Sequence, residues 1–228
     1  MPGDPPSPDS RDPPSRDAGD PPFPDPDDRL VLEPGCERCP ALAECRERIS
    51  WGVGPTDADV VVVGEAPGAG DPDADHWRGG NWTGTAYTSR HSGRRIRTTM
   101  RRAGHPDAYY TNAVKCFPAD GSGSNREPTP TERARCRDHL VAELDHVDPD
   151  AVVPTGKHAT LSVLSAAGRD LSGFLDSVLD PVECPDLGVT VLPLVHPSYR
   201  EVWIGRLGYD YEEYVVTLGE RLDAILGN

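Results

Sequence analysis

The sequence predicts an α/β fold, a three-layer αβα sandwich around a short four-stranded parallel sheet. Three observations carry that expectation. Short apolar runs of strand character alternate with longer amphipathic stretches of helical period, the order that builds parallel strands with helices on both faces. A length of 228 residues suffices for one such domain with a sizeable core plus a tail. Short motifs rich in Gly, Pro and Asn follow the apolar runs directly, at the carboxyl ends of strands where open parallel sheets bind ligands.

Residues 1–29 hold ten prolines and eight aspartates against three arginines. Such a segment cannot bury a core and reads as a disordered acidic tail of net charge −5, leaving −10 of the total −15 on a domain expected over residues 30–228. In that domain residues 40–49 read as a short helix and residues 58–64 as a buried strand running into a Gly-Glu-Ala-Pro-Gly loop. Further strands are expected over 108–114, 151–155 and 189–195, with helices over 93–103, 131–147, 157–166 and 212–226. No internal repeat is present.

Acidic residues number 38 against 23 Lys+Arg, and two of those are lysines, Lys115 and Lys157. A carboxylate-rich, lysine-poor surface suits a protein working in high salt, where charge repulsion is screened within a few ångströms. Any phosphate contact would need a local island of positive charge. Six cysteines without an apolar leader or a membrane-length apolar run point to a reducing, cytoplasmic setting with no membrane contact, where metal ligation is favoured over disulfides.

Cys36-x2-Cys39 places two thiolates within reach of one metal centre, and Cys116 and Cys136 complete a four-sulfur cage. Zinc on the same thiolates, or Cys45 replacing one ligand, are the alternatives. Cys184 has no evident role.

Together with the cysteines, three segments supply an identity: Gly64-Glu65-Ala66-Pro67-Gly68, Thr111-Asn112-Ala113-Val114-Lys115-Cys116 and His196-Pro197-Ser198. Over residues 33–205 the chain resembles the iron–sulfur uracil-DNA glycosylases of the family-4 type, while Gly79-Gly80-Asn81-Trp82-Thr83-Gly84 and Ser92-Gly93 are closer to the family-5 enzymes. The resemblance implies a monomeric, monofunctional hydrolase that flips uracil out of single- or double-stranded DNA, cleaves its N-glycosidic bond and leaves an abasic site. It also implies a [4Fe–4S] cluster on Cys36, Cys39, Cys116 and Cys136. Relative to the family that the chain resembles, the twenty positions from Cys116 to Cys136 include residues 120–125 as an insertion, which loop closure penalises only logarithmically.

The chemistry of that reaction assigns expected roles. Bond cleavage puts negative charge on the departing uracil, and His196 is placed to donate to the oxygen where it develops; the alternative is a turn histidine satisfied by backbone. Asn112 can accept from uracil N3–H and donate to O4, whereas cytosine presents the reverse pattern; otherwise it is a strand-end asparagine making a turn bond. Glu65 adds a carboxylate near the sugar and the attacking water, while Gly64, Ala66, Pro67 and Gly68 let backbone approach the base. Relative to the best-known glycosylase family, a carboxylate is missing at Ala66 and an aromatic ring at Gly68, so catalysis would lean on electrostatic stabilisation of a dissociative transition state. Tyr87, in Gly84-Thr85-Ala86-Tyr87-Thr88-Ser89, takes the place of the ring that stacks on the flipped base, or else is a core tyrosine. Ser198 is expected to complete the substrate pocket.

For DNA contact, Arg94 and Arg95 belong to a run of six arginines between Arg90 and Arg102 that reads as one basic helix face, or as an ordinary solvated surface. Tyr199 and Arg200 occupy the loop that would wedge into the minor groove. Two rivals stand beside the enzyme: a catalytically inactive or trapping uracil-DNA binder of the same fold, its trapping form disfavoured because residues 117–130 lack the histidine that related trapping proteins carry, and a metal-bearing interaction module.

Overall fold

A valine run at the middle of the sheet organises the molecule, seen in a computed structural model that describes residues 20–74 and 76–227. Strand β1 (Val60–Gly64) is buried along its whole length, as a central strand covered on both faces must be. Parallel neighbours flank it, β2 (Tyr109–Asn112) on one side and β3 (Ala151–Pro154) on the other. Alternate valines then face opposite cores. Val60 and Val62 pack with Ile96, Met100, Leu218 and Leu222, and Val61 and Val63 with Leu140, Leu144, Val163 and Leu164.

Those apolar partners define the two outer layers. The first core is covered by α3 (Gly93–Arg102) and α7 (Tyr211–Leu226), and the second by α4 (Pro130–Val147) and α5 (Lys157–Ala166). A capping box opens α4, with Thr129 accepting from the Glu132 N–H and Pro130 in the first turn; Asp210 and Glu213 do the same for α7. The α/β sandwich expected from the sequence is therefore what forms.

The sheet has five strands and is mixed, which corrects the four-stranded parallel expectation. Its order is β2-β1-β3-β5-β4, where β4 (Val182–Cys184) runs antiparallel to β5 (Val189–Val191) at the edge. Three residues with a central glutamate give too short an alternation to read as a strand. Two short helices also escaped the periodicity, α2 (Gly80–Thr83) and α6 (Arg200–Arg206). The first helix, α1 (Pro40–Cys45), is shorter than expected because Arg46 is already extended.

Described packing begins before the expected domain boundary at residue 30. Phe23 sets its ring edge-on to Trp77 at 5.2 Å, Asp20 accepts a hydrogen bond from Arg94 Nε at 2.8 Å, and Arg29 bridges to Val53. Phe23 is the one aromatic in an otherwise Pro/Asp-rich stretch, and it has found an aromatic partner. The remainder of the expected tail, residues 1–19, lies outside the described residues. Among the described residues no helix is long and apolar enough to cross a membrane.

Candidate active site

Register places the first two site residues side by side. Gly64 ends β1 directly opposite Asn112, which ends β2. A Cβ at position 64 would lie 2.3 Å from Asn112 Oδ1 and 2.9 Å from Tyr87 Oη, so the carboxamide and the phenol occupy the space that a side chain would fill. Ala113 N–H donates to the Gly64 carbonyl at 2.7 Å and Val114 N–H to the Glu65 carbonyl at 2.9 Å, tying the segment after β2 to the 64–68 loop.

Beyond these strand ends lies an open cavity of about 1100 Å³. The whole 64–68 loop, Tyr87, Asn112, His196, Ser198, Tyr199 and Arg94 line it. Four segments distant in sequence thus meet where parallel strands leave the sheet, the usual place for a ligand in such folds. Arg95 and Arg200 do not reach the cavity wall.

His196 follows the strand-like run after β5 and packs against Gly156 (φ +89°), whose missing side chain leaves room: a Cβ there would lie 3.2 Å from His196 Cβ and 3.4 Å from Cδ2 of its ring. Its Nδ1 accepts the Ser198 N–H at 3.2 Å. Burial pushes its pKa down from 6.5 to about 4. A neutral ring whose Nδ1 is an acceptor carries its proton on Nε2, so the residue is a neutral hydrogen-bond donor at neutral pH.

Tyr87 is buried in the wall with φ +52°; its Oη is 2.6 Å from Thr155 Oγ1 and its ring meets Tyr110 edge-on at 5.9 Å. Glu65 keeps one carboxylate oxygen buried without a hydrogen-bond partner. Burial raises its pKa, opposed by the charges of His158 and Arg133 and reinforced by Glu127.

The basic run is not a single face. Arg97 turns inward and lies 3.8 Å above the Tyr110 ring, and burial lowers its guanidinium to about 10. Arg94 is paired with Asp20, Arg102 with Glu212, and Arg95 donates to the Ser198 carbonyl at 3.4 Å. Helical period explains the difference: Arg97 lies one turn after Gly93 and one turn before Met100, both buried, so its side chain borders the side of α3 that packs on the sheet. Tyr199 is 63% exposed, whereas Arg200 is held over Tyr211 at 4.4 Å.

Cys36, Cys39, Cys116 and Cys136 line one small pocket between α1, the segment after Asn112 and α4. Arg46 Nη1 donates to Cys116 Sγ at 3.3 Å, Lys115 N–H donates to Cys136 Sγ at 3.3 Å, and His139 Nε2 stands 3.5 Å from Cys36 Sγ. Donors aimed at sulfur suit thiolates bound to a cationic centre. Cys45 instead turns its Sγ to the Phe117 carbonyl at 3.1 Å, and Cys184 lies in the core around α4 and α5. The chemistry of this donor set suits a bound metal or cluster, Cys45 packs against the edge of the same cluster of side chains, and among the described residues the ligand atoms that lie within 4.8 Å of one another are those of Glu33, Cys36 and His139.

Two further groups had no reading in the sequence. Asn125, within the 120–125 insertion, accepts from Ala69 N–H at 3.0 Å and donates to the Pro67 carbonyl at 3.4 Å, making the insertion part of the cavity wall. Lys115 and Glu143 form a buried ion pair behind Asn112. The hints to Lys115 were its place in the Thr111–Cys116 segment and its being one of two lysines in an arginine-dominated chain; nothing pointed to Glu143.

Residues 51–217 match the family model of the uracil DNA glycosylase superfamily. A type-4 uracil-DNA glycosylase of Thermotoga maritima is 30% identical over 166 residues, covering 72% of this chain and 77% of that protein. Another type-4 enzyme, from Archaeoglobus fulgidus, is 29% identical over 189 residues, with 81% and 87% covered. A type-5 uracil-DNA glycosylase of Pyrobaculum aerophilum is 31% identical over 210 residues, with 79% and 84% covered.

The lowered His196 value gives a pH prediction. The unfolded chain binds this proton near 6.5 and the folded protein only near 4, so stability falls as pH drops through that window. Melting temperatures measured from pH 7 to 4 should decline more steeply for the wild type than for His196→Ala. Parallel declines would contradict a buried neutral imidazole.

Proposed function

The chain belongs to the uracil-DNA glycosylase superfamily, and from that premise we propose that it hydrolyses the N-glycosidic bond of uracil in DNA and leaves an abasic site for base excision repair. The observation that carries the reading is the meeting of Asn112, the 64–68 loop and a neutral His196 in one cavity.

Asn112 reads the flipped base through its carboxamide, accepting from N3–H and donating to O4. His196 donates Nε2–H to the uracil oxygen on which charge develops, and its neutrality keeps the ring from needing a counter-ion in a site that must also tolerate phosphate. Tyr87 forms the wall against which the base face rests. Gly64, Ala66, Pro67 and Gly68 bring backbone to the base, Ser198 fixes the His196 ring through its N–H, and Glu65 holds water on the sugar side with its unpartnered oxygen. Tyr199, exposed beside His196 with ring centroids 5.7 Å apart, is the wedge into the stack, with Arg94, Arg95 and Arg200 as phosphate contacts around it.

The four cysteines hold a [4Fe–4S] cluster that fastens α1 to α4 and takes no part in bond cleavage. Its support is the donor set around the sulfurs. Residues 1–29 act as an acidic appendage to the domain, supported at its near end by the Asp20–Arg94 pair.

An oligonucleotide carrying one uracil should yield alkali-cleavable abasic sites. Asn112→Asp should reduce excision by roughly 10²-fold, since ~3 kcal/mol is lost when a well-placed donor becomes a repelling carboxylate, and weak activity on cytosine should appear. Full uracil activity in folded Asn112→Asp would remove Asn112 from its role. Purified protein should be brown, with a broad absorbance at roughly 400 nm that fades on oxidation. Cys136→Ala should lower the melting temperature more than Cys184→Ala. Colourless, active protein carrying zinc would replace the cluster with that metal. Deletion of residues 1–29 removes five net negative charges and the Arg94 partner. Binding to DNA should tighten at low salt and be unchanged at high salt, as read by fluorescence anisotropy; weaker binding on truncation would refute a repulsive tail.

A further inference from the structure

Behind the strand end that carries Asn112 lies a closed polar network. Lys115 and Glu143 side chains are 1% and 0% exposed, with Nζ 2.5 Å from Oε2. Every ammonium proton has an acceptor: Glu143 Oε2, Thr111 Oγ1 at 2.7 Å and the Asn112 carbonyl at 2.6 Å. Glu143 is equally engaged, its Oε2 accepting from the Thr111 hydroxyl at 2.5 Å and its Oε1 from Gly52 N–H at 3.1 Å.

Net stability does not account for such a pair. Buried ion pairs are often matched or bettered by apolar replacements of similar volume, because desolvation offsets the mutual attraction. Where the bonds go is more telling. Two of the three from Lys115 end on consecutive residues of β2, and one of those acceptors is the carbonyl of Asn112 itself, at the point where the strand ends. Lys115 is held in turn from outside the sheet: its N–H donates to Cys136 Sγ, and its carbonyl accepts from Ser50 N–H at 2.7 Å. Glu143 stands on α4 seven residues after Cys136, about two turns along the same face.

We propose that the Lys115–Glu143 pair is a positioning device for base recognition, fixing the Asn112 peptide plane, and with it the aim of the carboxamide, against α4 and the cysteine-bearing segments. The inference rests on Asn112 being the residue that reads the base. A carboxamide separates uracil from cytosine only if donor and acceptor each meet their own atom, and a misplacement of about 1 Å can cost on the order of 10²-fold in rate. A carbonyl anchored by a buried ammonium supplies that constraint from the side opposite the cavity.

The test is a mutant cycle on the full-length protein. Lys115→Met, Glu143→Gln and the double change Lys115→Met/Glu143→Leu are made in the wild type and in Asn112→Ala, and single-turnover uracil excision and melting temperature are measured for each. Either single change should slow excision ~10–100-fold. The double change, which leaves no unpaired charge, should regain melting temperature while excision stays at least ~10-fold low. In the Asn112→Ala background Lys115→Met and Glu143→Gln should each alter excision less than ~3-fold, because a device acting through Asn112 has nothing left to aim. Excision that returns in step with melting temperature, or equal losses in both backgrounds, overturns the positioning role. Glu143→Gln, nearly isosteric, decides the matter if the methionine variants do not fold. Wild-type excision by Asn112→Ala alone would instead overturn the reading of Asn112, before either partner of the pair is touched.

Discussion

The side-by-side ending of two parallel strands is the constraint on which the site depends. With Gly64 opposite Asn112, the sheet delivers a carboxamide and a bare backbone to the same spot, and the absence of a side chain at one is what gives the other its place. Everything else in the cavity is arranged around that pair. Tyr87 is fixed in the wall by the bond of its hydroxyl to Thr155, just past β3, and His196 approaches because Gly156 next to it leaves room. Three glycine-dependent close approaches, of Asn112 and Tyr87 to Gly64 and of His196 to Gly156, bring backbone and side chains together in one pocket.

Charge is handled differently inside and outside the pocket. The chain is strongly acidic, yet the imidazole of His196 in the cavity wall is uncharged, because burial holds it neutral. Cations near the site are mostly engaged: Arg94 by Asp20, Arg97 by the Tyr110 ring, Lys115 by Glu143. Attraction for a polyanion therefore has to come from contacts made on docking, which suits a protein whose long-range field is repulsive to DNA.

Much of the fold was legible because it is local. The β1 valines, the Pro-opened α4 and the α5 stretch carry their period in consecutive residues, and Asn112 and His196 stand in short motifs at strand ends. What escaped depends on distance in sequence. Glu143 meets Lys115 across 28 positions, Asn125 meets Ala69 across 56, and neither partner marks the other. Arg97 was misplaced on a basic face because a run of arginines reads as solvent-exposed, while one of them stacks on an aromatic ring in the interior. The edge strand β4 was too short to show a period.

The Asn125 contacts change what the insertion between Cys116 and Cys136 is. By itself it is a surplus loop of the kind that drifts freely in length and composition. Hydrogen-bonded to Ala69 and Pro67, it is part of the cavity wall, so its length and the shape of the 64–70 turn are coupled. Chimeras with relatives would have to exchange the two loops as one cassette; a swap of either alone would leave the backbone of the other without its partner.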